Sequence, residues 1–102
     1  MSAEGPLKVS AHSNPNAVAG ALAAALRERG NAELQAVGAG AINQAVKAIA
    51  IARNYLKAGD IDLVCTPSFI TVEIADNERT GISLLVERRK PNDPGLQSEN
   101  GN

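Results

Sequence analysis

The sequence predicts an α/β protein of the two-layer α+β type, with element order β-α-β-α-β-β. Three observations carry that prediction. Two stretches of helical periodicity, each opened by turn-forming residues, alternate with short apolar runs. The last two apolar runs are separated by one polar turn. A chain of 102 residues that is 44% hydrophobic supplies one core and one domain.

Leu7-Lys8-Val9-Ser10 alternates apolar and polar and forms the first strand. Ser13-Asn14-Pro15-Asn16 starts a helix, with Ser13 or Asn14 as cap and Pro15 in the first turn, where its missing N–H costs nothing. The helix runs to Arg29 with Val18, Leu22, Ala25 and Leu26 on one face, and Gly30 closes it. Glu33 to Val37 is the second strand, and Gly38-Ala39-Gly40 opens a second helix ending near Lys57 to Gly59. Ile61 to Cys65 begins a third strand that continues past Pro67 as Phe69 to Ala75. Pro67 is expected at a bulge or a sheet edge. Asp76-Asn77-Glu78 is the expected hairpin turn, and Gly81 to Glu87 returns as the fourth strand. Two right-handed crossovers place the first three strands parallel, with both helices on one face of the sheet. The hairpin makes the fourth strand antiparallel, so the sheet is mixed and its other face is bare. The domain is expected over residues 7–90, with a flexible N-terminus at 1–6 and a disordered polar tail at 91–102.

Composition excludes several function classes. Aromatic residues amount to 2%, Tyr55 and Phe69, so the core is aliphatic and a scheme of base stacking lacks parts. The net charge of −1 sets up no global field. The expected flexible ends carry Glu4, Asp93 and Glu99 and no basic residue, which leaves the body weakly basic. One cysteine makes no internal disulfide, and the start of the chain has no charged and apolar sequence of a signal peptide. The helix from Ala41 to Leu56 contains Asn43, Gln44, Lys47, Arg53 and Asn54, which argues against a membrane span, so the expected location is cytoplasmic. A single His12 and a single Cys65 form neither a zinc ligand set nor a catalytic set. Cys65, within an apolar strand, is expected to be a buried structural thiol. No catalytic residue, metal or cofactor is expected, and the chain is expected to bind rather than catalyse.

In the second helix Ile42, Ala45, Val46, Ile49 and Leu56 read as the core stripe. Ile51 lies nearly opposite Ile42, with Ala48, Ala52 and Tyr55 near it. This second apolar stripe is expected to form a homodimer interface; cover by another segment of the same chain is the alternative. Asn43, Lys47 and Asn54 form a polar stripe. Arg53, in line with the core stripe, is expected to snorkel and pair with Asp60, Asp62 or a helix-end carbonyl.

Both helices start after the carboxyl ends of parallel strands, so Ser13, Asn14 and Asn16 share one sheet edge with Gly38 and Gly40. Free backbone N–H groups and two positive dipole ends there suit an anion. Asn43 and Gln44 add neutral hydrogen bonds and Lys47 a charge. Two readings of the glycines stand side by side: close approach of a phosphate, or a tight strand-to-helix turn. A small phosphorylated ligand is one occupant consistent with this edge.

Leu7-Lys8-Val9-Ser10, Ser13 to Leu22, Leu26-Arg27-Glu28-Arg29-Gly30 and above all Gln35 to Ala48 with Ala50-Ile51-Ala52-Arg53 resemble the stage V sporulation protein S family. The similarity covers about residues 7–89. It implies small cytoplasmic bacterial proteins linked to sporulation and cell-division control, with no enzymatic activity. That family in turn resembles the Alba proteins, which share this element order, dimerise and bind DNA or RNA. The resemblance implies a four-stranded sheet ordered 1-2-4-3, a dimer through the second helix and nearby strands, and a hairpin arm lying along nucleic acid. Alba proteins carry lysines before the first helix and arginines before the second; this chain does not. Phosphate contacts would then fall to backbone amides, Lys47 and Arg79 of the hairpin, with Arg88, Arg89 and Lys90 as a basic cluster after the last strand. A protein–protein adaptor is the rival reading, favoured by the low net charge and the scarcity of aromatics.

Overall fold

The computed structural model describes residues 5–89; the expected tail at 91–102, Lys90 and residues 1–4 of the expected flexible N-terminus lie outside the described residues. The elements are β1 (Leu7–Val9), α1 (Pro15–Arg29), β2 (Asn31–Ala36), α2 (Ala39–Lys57), β3 (Asp62–Ile74) and β4 (Asn77–Arg89). The four strands are ordered β1-β2-β4-β3. β1 and β2 are parallel, and β4 runs antiparallel to both β2 and β3.

Local chemistry sets the ends of α1. Asn14 Oδ1 accepts from the Asn16 N–H at 2.9 Å, Pro15 occupies the first turn, and Gly30 at φ 88° donates its N–H to the Leu26 carbonyl. α2 follows Gly38, whose φ of 92° lies in the region that favours glycine.

β3 stands at the sheet edge, one of the two positions expected for Pro67, and has no bulge there. It runs unbroken through Pro67, which pairs in regular register with Leu84. β3 is an edge strand, so a residue without an N–H leaves no ladder unmet on its outer side. The hairpin turn moves. Ile74 pairs with Asn77, which makes Ala75-Asp76 the two-residue loop instead of Asp76-Asn77-Glu78. Both loop residues have positive φ, 51° and 64°, as a type I′ turn requires to match the strand twist.

The core is largely alanine on the helix side. Ala19, Leu22, Ala23 and Leu26 of α1 meet Ala41, Ala45, Ala48, Ala52 and Leu56 of α2 above Leu34, Ala36, Leu84 and Val86 of the sheet. Small side chains let the two helices lie close, and each buried leucine contributes about 1.5–3 kcal/mol.

This corrects the expected dimer stripe. Ala48 and Ala52 are fully buried within the protomer, and Ile51 is half-buried against the core, which leaves only Tyr55 of that stripe exposed. Two polar contacts explain why. Gln44, which shares a flank with Ile51 and Tyr55, donates to the Ser13 carbonyl at the start of α1, so that flank faces α1. Arg53, which shares a flank with Ile42, Val46 and Ile49, pairs with Asp62 at the start of β3, so that flank faces the β3 edge. The alanines between the flanks point into the core. Val46, expected in the core, is 52% exposed.

β4 pairs with β2 only from Ile82 to Glu87. Beyond Ile82, residues 77–81 of β4 and 70–74 of β3 continue as a two-stranded arm past the end of β2. Gly81 sits where the arm leaves the sheet. A Cβ there would lie 2.9 Å from the Ala36 carbonyl oxygen and 2.9 Å from Val37 Cγ2, so any side chain would force the strands apart. Among the described residues no helix is long and apolar enough to cross a membrane.

Candidate functional site

The two helix starts lie side by side on one sheet edge, at the carboxyl ends of β1 and β2. They are fastened there by Gln44 Nε2, which donates to the Ser13 carbonyl at 2.9 Å. Within the β1–α1 loop, Ser13 Oγ accepts from the Ser10 N–H at 2.9 Å and Ser10 Oγ accepts from the His12 N–H at 3.1 Å. The hydroxyl of Ser13, the Oδ1 of Asn14 and the amide of Gln44 therefore build the loop. Asn16, Gly38, Gly40, Asn43 and Lys47 are exposed at this edge, as is Asn14.

Gly40 has a packing reason of its own: a Cβ there would lie 2.9 Å from Ala11 Cβ. Its bareness lets α2 begin against the β1–α1 loop. Gly38 needs its positive φ for the turn, and the space beside it is open. Lys47 follows Ala39, the first residue of α2, by about 12 Å along the axis, so it flanks the edge rather than sitting at its mouth.

The arm leaves the sheet at this same edge and carries Arg79, as the hairpin reading expects. Its charge, however, is acidic, with Glu73, Asp76 and Glu78 against Arg79.

Arg88 and Arg89 do not join this site. β4 ends beside Asn31, where β2 begins, so they stand at the opposite edge, about 20 Å away along β2. The expected single basic surface divides into two ends because the last strand runs back down the sheet. At that far edge Arg53 Nε donates to Asp62 Oδ1 at 2.6 Å and Arg53 Nη2 to Asp62 Oδ2 at 3.3 Å. This is the expected pairing of Arg53. Arg89 Nη2 lies 3.4 Å from the same carboxylate. The Arg53 hydrogen bond holds the Asp62 carboxyl below its usual range, helped by the Leu63 N–H and by the charges of Arg53 and Arg89 against partial desolvation.

Cys65 is exposed, contrary to its expected burial, because edge strand β3 extends beyond the cover of α2. Partial desolvation pushes its thiol up, which does not favour a reactive thiolate.

Two features escaped the sequence. On the bare sheet face Ser83 Oγ donates to Glu33 Oε2 at 2.6 Å, with Gln35 Nε2 donating to the same oxygen at 3.1 Å. These bonds, that of Ser83 first, hold the Glu33 carboxyl below its usual range. The polar alternation of β2 signals a solvent-side face, but only the β2–β4 register brings Ser83 to it. The second is an apolar surface. By register Phe69 pairs with Ile82 and projects to the helix side of the β3 edge, where it is 81% exposed. It lies on the side of the molecule to which α2 turns Ile42, Val46 and Ile49. Over residues 5–89 the chain matches the family profile described as stage V sporulation protein S, and it belongs to that family.

Proposed function

We propose that this protein acts by binding, as a homodimeric, Alba-like nucleic-acid-binding regulator in the sporulation process with which its family is linked. The observation that carries the proposal is the pair of helix starts fastened side by side on one sheet edge. Each helix start leaves N–H groups unmet within the helix and carries about half a positive charge, so two of them together favour a phosphate. Asn16 and Asn43 extend neutral donors, and Lys47 and Arg79 flank the edge with charge. The strand order 1-2-4-3 agrees with what the Alba resemblance implies. With an acidic arm and few aromatics, affinity is modest and depends steeply on salt.

The dimer in this proposal uses the flank of Ile42, Val46 and Ile49 with Phe69 on the β3 edge. An exposed apolar side of this kind is costly to leave in water. An adaptor role is the second reading, because the same apolar side and the acidic arm also suit a protein partner.

Titration of labelled duplex DNA and of single-stranded RNA at several salt concentrations tests the function. Lys47→Ala and Arg79→Ala are each expected to weaken binding and to flatten the slope of log affinity against log salt, by about 0.9 on duplex DNA or 0.7 on a single strand per lost contact. Absence of salt-dependent binding to both nucleic acids by the unaltered protein sinks this reading in favour of the adaptor.

A further inference from the structure

The end of the molecule away from the paired helix starts holds a concavity of about 460 Å³, within the size range of small-ligand sites. Arg29, Arg88 and Arg89 converge on it from the last turn of α1 and the end of β4. Three guanidiniums around one hollow repel one another unless anions offset them, and the protein offsets them incompletely. Among the described residues Arg88 has no carboxylate within 4 Å, and Arg29 has only its exposed neighbour Glu28, at 3.8 Å. Arg89 shares Asp62 with Arg53, which holds the closer position, and Arg89 Nε is buried with no hydrogen-bond partner. The Arg88 guanidinium lies over Gly30, where a Cβ would come within 3.1 Å of Nη2. A bare Cα at the wall of the hollow is what admits it.

Part of this positive charge serves the negative ends of α1 and α2, each worth about half a charge. Asp60 on the rim supplies one more negative charge. Glu28 offsets Arg29 only through a long, solvent-exposed pair, so Arg88 is the guanidinium of the three left without an acidic partner among the described residues. The rest of the lining is that of a small-molecule site: Ile61 gives an apolar wall, Asn31 an amide and Asp60 a hydrogen-bond acceptor. Glu28 and Glu87 flank the arginines in sequence and are exposed, which disfavours a continuous track of phosphates.

We propose that this hollow binds a small phosphomonoester that bears hydroxyl groups, a sugar phosphate in chemical class. Its phosphate engages Arg29, Arg88 and, once that side chain turns to free its Nε–H, Arg89. A hydroxyl donates to Asp60. The site is independent of the nucleic-acid reading, since it occupies the opposite edge of the sheet.

The test is amide-resolved NMR titration of the full chain with ribose 5-phosphate, inorganic phosphate and a short DNA duplex at constant ionic strength. The expected result is saturable shifts at Gly30, Asn31 and Ile61, with ribose 5-phosphate tighter than inorganic phosphate. Arg88→Gln and, separately, Arg29→Gln are each expected to weaken ribose 5-phosphate binding about tenfold. Asp60→Asn is expected to narrow the advantage over inorganic phosphate. Thermal melts establish that each variant is folded. Linear, non-saturating shifts, or affinities unaltered in both arginine variants, overturn the proposal and leave the arginines as partners of the helix ends. Shifts at these amides with the duplex but not with ribose 5-phosphate overturn it as well and assign the hollow to a phosphodiester chain.

Discussion

Gly40 shows how one missing methyl group can serve packing within the protomer. Its Cβ would occupy the space of Ala11 Cβ, 2.9 Å away, so Gly40→Ala is expected to destabilise the fold by about 1–3 kcal/mol through overpacking. Ala11→Gly in that background removes the opposing atom and is expected to recover most of the loss in a urea melt. Failure to recover it would mean that Gly40 is needed for something other than this contact. Asn14 and Gly30, by contrast, were legible from sequence because their partners, Asn16 and Leu26, lie within one helical turn. The reason for Gly40 lies across the β1–α1 loop, and the exposure of Cys65 depends on which strand stands at the edge. Neither is a local property.

At the scale of elements, strand and helix order followed from periodicity, and α1 was bounded correctly by its caps. The face of α2 was misjudged because periodicity gives weight to large aliphatic residues, whereas the tight helix pair selects Ala41, Ala45, Ala48 and Ala52 for its interior. Val46 and Ile49 are thereby displaced to a flank. The turn was misplaced by one residue because Asp-Asn is a better turn signal than Ala-Asp, yet the β3–β4 register places Ala75 at φ 51°. A residue with a Cβ in that region costs about 1–2 kcal/mol relative to its preferred conformation. Replacing Ala75-Asp76 by Asn-Gly is expected to stabilise the arm by about 1 kcal/mol, read as slower hydrogen exchange at Thr71 and Thr80. Unchanged or faster exchange would show that the turn does not limit the arm.

For the whole molecule, the sequence identified the edge that carries both helix starts but not the separation of charge between the two ends of the sheet. Arg88 and Arg89 follow the last strand in sequence, and only the antiparallel return of β4 carries them away from Gly38. The apolar side of Val46 and Phe69 likewise emerges only when the sheet order makes β3 an edge. Val46→Glu is expected to convert the proposed dimer to a folded monomer in sedimentation, with little effect on the protomer itself because Val46 is half exposed. Sedimentation unchanged by both Val46→Glu and Phe69→Ser would remove this side as the interface.

The two-residue hairpin between β3 and β4 has a consequence for the path by which the chain folds. The longest ladder in the sheet, Asp62 to Ile74 against Asn77 to Arg89, zips outward from that turn, each rung closing only a short further loop. The neighbouring ladder must bring Ala32 to Val86 across both α2 and β3, at a greater loop-closure entropy. The hairpin is therefore the template on which β2 alights, and β1, with only three paired residues, can join only after β2 is in place. In pulse-labelled refolding, amides shared by β3 and β4 are expected to gain protection before those of β2; the reverse order would place nucleation in the helical layer.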